Sequence, residues 1–271
     1  MTEIIGSIVT FNPSWDLLEK TIRSFLTAAP AAQVVVWDNS PLDGVSAKLK
    51  STFAEKVIYL KSPGNFGYGK GHNSVFKHIQ GNCRYFAVLN PDLEIPIESI
   101  SKLTAYLEQN PQFEMISGSI KGMDEKIHEV HKPLPSFMGY IRTLLGRKFP
   151  SLKSDDLQNP FFPLPAKPLR IPVISGCFML FTAKHYKELN GFDERFFLYF
   201  EDYDLSLRSF LTGKSVVVPE VTIHHNWERA SHKKFKLLLT HLRSAFIFYF
   251  KWGFGNKLAK KVNETARQEK P

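Results

Sequence analysis

Cysteine is scarce in this chain: of 271 residues only Cys83 and Cys177 carry thiols, and they lie far apart. They offer neither a disulfide framework nor a metal-type spacing, which points to a reducing compartment. Long apolar runs are also missing. None reaches the roughly 18 residues that would suggest a spanning helix. The start, Met1-Thr2-Glu3-Ile4-Ile5, enters a strand-like pattern with no basic-then-apolar leader, so a cytoplasmic protein is expected. There is no internal repeat, no Walker phosphate loop and no strict dinucleotide fingerprint.

What is present describes a folded protein. Hydrophobic content of 43% and charged content of 23% exclude disorder as the default. The length suits one α/β domain with an elaboration, since single cores stop growing near roughly 250–300 residues. The net charge of +9, from 35 Lys and Arg against 26 Asp and Glu, admits three partners. These are nucleic acid, an anionic membrane and a phosphorylated small molecule.

Strand and helix signals alternate along the first part. Apolar runs at Ile4–Thr10, Gln33–Trp37, Lys56–Leu60 and Tyr85–Leu89 read as buried strands. Helical spacing over Ser14–Ala28, a helix from the glycine-rich loop Gly64–Gly71 through Ile79, and another over Ile97–Glu108 separate or follow them. This pattern predicts a mostly parallel sheet covered on both faces, with ligands at the carboxyl ends of the strands. Asn12, Asp38, Asn65 and Asp92 fall at or just past those ends. The middle is irregular: Met123–Lys153 has poor periodicity, and Asn159–Pro172 is a proline-rich strap. Pattern returns with a strand over Val173–Thr182, interrupted at Ser175-Gly176-Cys177. Helices at Ala183–Leu189 and Glu201–Leu211 follow, then short strands at Ser215–Val218 and Val221–His225.

Two acidic motifs carry the chemistry. Leu89-Asn90-Pro91-Asp92 sets a carboxylate just past a buried strand. One well-placed aspartate suffices for a hard cation when phosphates and water supply the other oxygens; the plain alternative is a turn. Phe200-Glu201-Asp202-Tyr203-Asp204 gathers three carboxylates at a helix start, where the helix dipole alone would favour them. The aromatic run before it, Phe196-Phe197-Leu198-Tyr199-Phe200, would partly desolvate a carboxylate and raise its pKa toward a useful base. Of the three, Asp202 is the preferred base. Of the adjacent pair His224 and His225, only one can face a site, because neighbouring strand residues point to opposite sides.

Taken in order, Val9-Thr10-Phe11-Asn12-Pro13, Val36-Trp37-Asp38-Asn39-Ser40, Asn65-Phe66-Gly67-Tyr68-Gly69 with Asn73, and Leu89-Asn90-Pro91-Asp92 form a set with Ser175-Gly176-Cys177, Gly191-Phe192-Asp193-Glu194-Arg195 and Glu201-Asp202-Tyr203-Asp204-Leu205. The set resembles the family-2 inverting glycosyltransferases of the GT-A fold, in particular their bacterial rhamnosyltransferase-like branch, over residues 3–245. The resemblance implies an α/β fold with a Rossmann-like, mostly parallel central sheet flanked by helices. It implies that Thr10, Asn12 and Asp38 hold the base and ribose, that Asn65, Gly67 and Asn73 lie beside the nucleotide, and that Asn90 joins the nucleotide-sugar contacts. Asp92 would bind Mg²⁺ or Mn²⁺ on the diphosphate, completed by His225, which matches by its spacing to Ser231. The chain has Asn-Pro-Asp where many relatives carry Asp-x-Asp. Asp202 would be the general base, with Glu201 its catalytic neighbour. The implied partners are a nucleotide-sugar donor (dTDP-L-rhamnose ahead of a UDP-sugar) and a glycan or lipid-linked acceptor in bacterial surface polysaccharide synthesis. A sugar-nucleotide pyrophosphorylase would carry a glycine-rich, basic loop near the first strand, which Thr10-Phe11-Asn12-Pro13 is not. An inactive nucleotide-sugar binding module would not need Asp92, Asp202 and His225.

Domain limits are expected at 1–230 for the transferase, with 1–120 the nucleotide-binding half, 121–172 the insertion and 173–230 the acceptor half. Residues 231–271 form a basic, aromatic helical segment. That segment reads either as a buried helix with a solvated basic face or as a helix lying on the inner face of the plasma membrane. Without a recognition motif, nucleic acid ranks last.

Overall fold

A computed structural model describes residues 2–122, 131–146, 166–226 and 234–268. Eight strands and nine α-helices are found among them. The first half runs β1 (Thr2–Thr10), α1 (Trp15–Ala28), β2 (Gln33–Asp38), α2 (Ser46–Phe53), β3 (Val57–Lys61), α3 (Tyr68–His78) and β4 (Cys83–Leu89). Then come β5 (Leu93–Glu94), α4 (Ser99–Gln109), β6 (Met115–Gly122), α5 (Phe137–Gly146), β7 (Phe178–Thr182), α6 (Ala183–Glu188), α7 (Glu201–Leu211) and β8 (Ser215–His225). The chain closes with α8 (Lys234–Trp252) and α9 (Lys257–Gln268).

All eight strands form one sheet in the order β3-β2-β1-β4-β7-β6-β8-β5. The four strands of the first half are parallel, as the alternating pattern predicts. β7 is antiparallel to both neighbours, and β8 lies parallel to β6. Side chains alternate across the sheet with period two. Ile4, Ile8, Val34, Val36, Ala87 and Leu89 meet α1, α2 and α4 on one face. Ile5, Val35, Phe86 and Val88 meet α3, α6 and α7 on the other. Ala245, Phe248 and Tyr249 of α8, and Ala259, Val262 and Ala266 of α9, join this second core, so the C-terminal helices pack onto the sheet layer.

Several elements differ from the sequence expectation, and α2, β5 and β6 have no counterpart in it. The irregular middle contains α5, and the two short strands near the end are one strand, with a register shift opposite Gly118/Ser119. The strand expected over Val173–Thr182 is regular only from Phe178, leaving Ser175-Gly176-Cys177 as a loop. Half of the proline-rich strap, residues 159–165, lies outside the described residues, as do Trp227 and Ser231.

Candidate active site

Parallel strands bring their carboxyl ends to one edge, and β1 and β2 end in register there, with Thr10 opposite Asp38. Asp38 is fully buried. Its Oδ1 accepts from the Thr10 hydroxyl at 3.2 Å and the Ser40 N–H at 2.9 Å; its Oδ2 accepts from the Tyr59 hydroxyl at 2.8 Å and the Lys61 ammonium at 3.3 Å. Burial alone would raise its pKa, but the bonds from Ser40, Tyr59 and Lys61 outweigh this and hold the carboxyl below its ordinary value. Asp38 therefore ties three strand ends together. The exposed Asn12, whose N–H donates to Ser40 Oγ at 2.7 Å, extends this cluster outward.

A second chain of contacts leads from there to the acidic motifs. Trp37 Nε1 donates to Asn39 Oδ1 (3.1 Å), and Asn39 Nδ2 donates to the Gly67 carbonyl (3.1 Å). Asn65 Oδ1 accepts the Gly67 N–H at 3.1 Å. Gly67 sits at φ +94°, and a Cβ there would fall 2.1 Å from the Phe197 carbonyl oxygen, so the turn into α3 requires glycine. The next residue, Tyr68, is the hub of the site. Its hydroxyl lies 2.7 Å from the Gly176 carbonyl and 3.0 Å from Asn90 Oδ1. Burial, with Cys177, Glu201, Asp202 and Asp92 nearby, raises its pKa well above the ordinary tyrosine value, keeping the hydroxyl a donor.

Asp92 and His225 meet because β5 pairs with β8, setting Leu93 opposite His225. His225 Nε2 lies 3.0 Å from Asp92 Oδ1 and 3.3 Å from Asn90 Nδ2. A carboxylate oxygen and an imidazole nitrogen thus converge on one point, a donor set that fits a divalent cation whose other positions are filled by phosphate and water. A different cluster, Glu114, His185 and Glu188, lies at the opposite edge of the sheet. There the Lys214 ammonium already contacts both glutamates, at 3.0 Å from Glu188.

Across Gly176 stands Asp202. Its Oδ2 accepts the Gly176 N–H at 3.1 Å and its Oδ1 the Tyr203 N–H at 3.0 Å. Burial raises the Asp202 pKa; the N–H groups of Gly176 and Tyr203 and the charge of Lys132 act in the other direction. Glu201 is buried, its Oε2 has no hydrogen-bond partner among the described residues, and burial and the Asp202 charge raise its pKa. Tyr199 and Phe200, immediately before, hold left-handed φ values of 70° and 65°. Two such non-glycine residues in succession are strained and concentrate at functional sites.

The structure thus joins Asn90, Asp92, His225, Gly176 and Asp202, and sets Thr10, Asn12, Asp38, Asn65 and Gly67 along the same edge. Asn73 stands apart. Its Oδ1 accepts from Tyr186 and Phe192, and its Nδ2 donates to the Phe192 carbonyl and Glu194. Its four hydrogen bonds brace α6, through Tyr186, and the loop that follows it, through Phe192 and Glu194. Sequence reasoning assigned no role to Tyr68, although it lies inside the glycine-rich motif, or to Lys132, which lies in the aperiodic stretch.

The family model described as Glycosyl transferase family 2 matches residues 7–189, and one described as the N-terminal domain of galactosyltransferase matches residues 161–233. The chain belongs to glycosyl transferase family 2 and is a rhamnosyltransferase-like glycosyltransferase of the GT-A fold. It is 26% identical over 268 residues to N-acetylglucosaminyl-diphospho-decaprenol L-rhamnosyltransferase of Mycobacterium tuberculosis, covering 92% of this chain and 84% of that one. It is 24% identical to the rhamnosyltransferase WbbL of Escherichia coli K12, covering 85% and 87%. Among solved structures, GalNAc-T7 with UDP, GalNAc and Mn²⁺ superposes with a TM-score of 0.63 at 14% identity, over 84% of this chain and 44% of that one. The mannosyltransferase PcManGT of Pyrobaculum calidifontis, with GDP-Man and Mn²⁺, gives 0.61 at 13% identity, over 92% and 64%. This chain therefore spans less than two thirds of either solved protein.

Proposed function

We propose that the protein is an inverting rhamnosyltransferase that moves L-rhamnose from dTDP-L-rhamnose to a lipid-linked glycan in bacterial surface polysaccharide synthesis. The observation that carries this reading is the continuous set Asp92–His225–Asn90–Tyr68–Gly176–Asp202, which sets a carboxylate–imidazole pair and a partly desolvated carboxylate at one strand edge. Two rhamnosyltransferases among the relatives, one named for a lipid diphosphate acceptor, support the sugar and the acceptor class.

In this reading Thr10, Asn12, Asp38, Asn65 and Gly67 shape the nucleoside site, with Asp38 acting through the side chains it organises. Mg²⁺ or Mn²⁺ held by Asp92 and His225 would neutralise charge on the departing diphosphate. Asp202 takes the proton of the acceptor hydroxyl as its oxygen attacks the anomeric carbon, and the bond to the nucleoside diphosphate breaks on the opposite side. One displacement inverts the configuration and needs no covalent sugar–enzyme intermediate. Glu201 keeps its proton, so that Asp202, favoured by two N–H donors and Lys132, is the member of the pair that ionises.

A panel of dTDP-, UDP- and GDP-sugars tests the donor by thermal shift and by release of the nucleoside diphosphate with Mn²⁺. A preference for dTDP-L-rhamnose supports the assignment, and a larger shift with another sugar nucleotide overturns it. Absence of turnover with every donor and acceptor would make the chain a binding module.

A further inference from the structure

Helix α8 has two unlike faces. Its inner face is buried: Phe248 and Tyr249 pack with ring centroids 5.3 and 6.2 Å from Phe200, and Ser244 donates to the Leu198 carbonyl at 2.8 Å. Those contacts lie directly behind the strained turn that presents Glu201 and Asp202. Its outer face carries Leu239, Leu242, Phe246 and Phe250 at three- and four-residue steps, with exposures of 51%, 37%, 61% and 72%. Phe254, 42% exposed, continues the row against Phe246 and reaches Phe137 of α5, next to the exposed Met138. Such a contiguous apolar row on a water-facing helix calls for a partner.

Its charge selects the partner. The exposed Lys236 and Arg243 flank the row, and α8 contains no Asp or Glu. A second copy docked face to face would set these cations against their own equivalents with nothing to neutralise them. A surface with negative headgroups over an apolar layer matches both features. The following helix adds Lys257, Lys260, Lys261 and Arg267 against Glu264 alone.

We propose that the outer face of α8 is the docking surface for an anionic phospholipid bilayer, on which the helix lies in plane with Phe246 and Phe250 inserted. No helix among the described residues is long and apolar enough to cross a membrane, so the contact is interfacial. The inner face of the same helix braces the turn carrying Asp202, which holds the base at a fixed distance from the lipid surface. The inference rests on the lipid-linked acceptor of the proposed function, but the surface can be tested without any acceptor.

The test is co-sedimentation of the full chain with vesicles of phosphatidylcholine, with and without phosphatidylglycerol. The expected result is binding to the anionic vesicles that weakens with added salt. It should fall about tenfold in the Phe246→Gln/Phe250→Gln double variant and comparably in Lys236→Glu/Arg243→Glu, with unchanged melting and unchanged donor hydrolysis in solution. Equal sedimentation of wild type and both variants overturns the proposal, as does no binding by the wild type. Dissociation of a wild-type dimer by the Phe variants, without vesicle binding, assigns the face to a second copy instead. Vesicle binding without transfer to a lipid-linked acceptor leaves the surface standing and removes the acceptor reading.

Discussion

Gly176 and Asp202 touch at a position with no room for a side chain: a Cβ on residue 176 would stand 3.0 Å from the Asp202 Cβ, while the Gly176 N–H bonds the carboxylate at 3.1 Å. The same residue's carbonyl takes the Tyr68 hydroxyl, so a single glycine joins the proposed base, Asp202, to the loop bearing Asn90 and Asp92. Gly176→Ala is expected to push Asp202 aside by a few tenths of an ångström. Transfer should drop by at least about tenfold, with donor affinity and melting near normal, because small misplacements of a reacting group are costly. Steady-state kinetics beside donor titration checks this, and an unimpaired variant would show that the contact does not position the base.

Asp202→Asn removes the proton acceptor but keeps size and one oxygen. Transfer should fall about a thousandfold, the middle of the usual range for a general base, while donor binding stays near wild type. The wild type should also lose kcat/KM as pH falls through a value above the ordinary aspartate range, because burial raises the Asp202 pKa and only its ionised form accepts a proton. Retained turnover in the variant, or a flat acid limb in the wild type, would sink its role as base.

Glu201 links the site to stability. Burial and the Asp202 charge raise its pKa in the folded chain, so the folded state keeps that proton to higher pH than the unfolded chain does. Its contribution is therefore fully present below the ordinary glutamate range and is lost as pH rises through the raised folded value. Glu201→Gln mimics the protonated form at every pH. The variant should gain on the wild type by about 1 kcal/mol or more between weakly acidic and mildly alkaline conditions, read from denaturant melts across that range. A difference independent of pH would mean that Glu201 is not held protonated.

The parallel half of the sheet was legible in the sequence because its strands are uninterrupted apolar runs. β6 was not. Its Ser117 and Ser119 are buried and donate to the carbonyls of Phe178 and Pro219, so hydrogen bonds replace the apolar pattern that marks a central strand. Asp202 was legible as a candidate from its aromatic setting, but its contact with Gly176 was hidden: the interruption at Ser175-Gly176-Cys177 is visible in the sequence, whereas the residue it packs against lies 26 positions further on. The pairing of Asp92 with His225 depends on the two-residue β5, too short to leave a periodic signal, and only the family resemblance anticipated it. Asn73 shows the converse: a motif position whose side chain braces a loop.

The Asp92–His225 pair gives the remaining prediction. Asp92 Oδ1 and His225 Nε2 lie 3.0 Å apart and share a hydrogen bond, and a divalent ion would compete with that bond for both atoms. Addition of Mn²⁺ should therefore raise the melting temperature further in the presence of dTDP than without it, since nucleotide phosphates supply the missing oxygens. Asp92→Ala should abolish this extra shift and reduce transfer by about a hundredfold or more, whereas His225→Gln should weaken it partially, because the anionic oxygen of Asp92 is the stronger ligand for a hard cation. Nucleotide titrations in Mn²⁺ and in chelator separate the effects. Equal dTDP affinity in both, for the wild type, would remove the metal from the reaction and leave Asp92 as a partner of His225 alone.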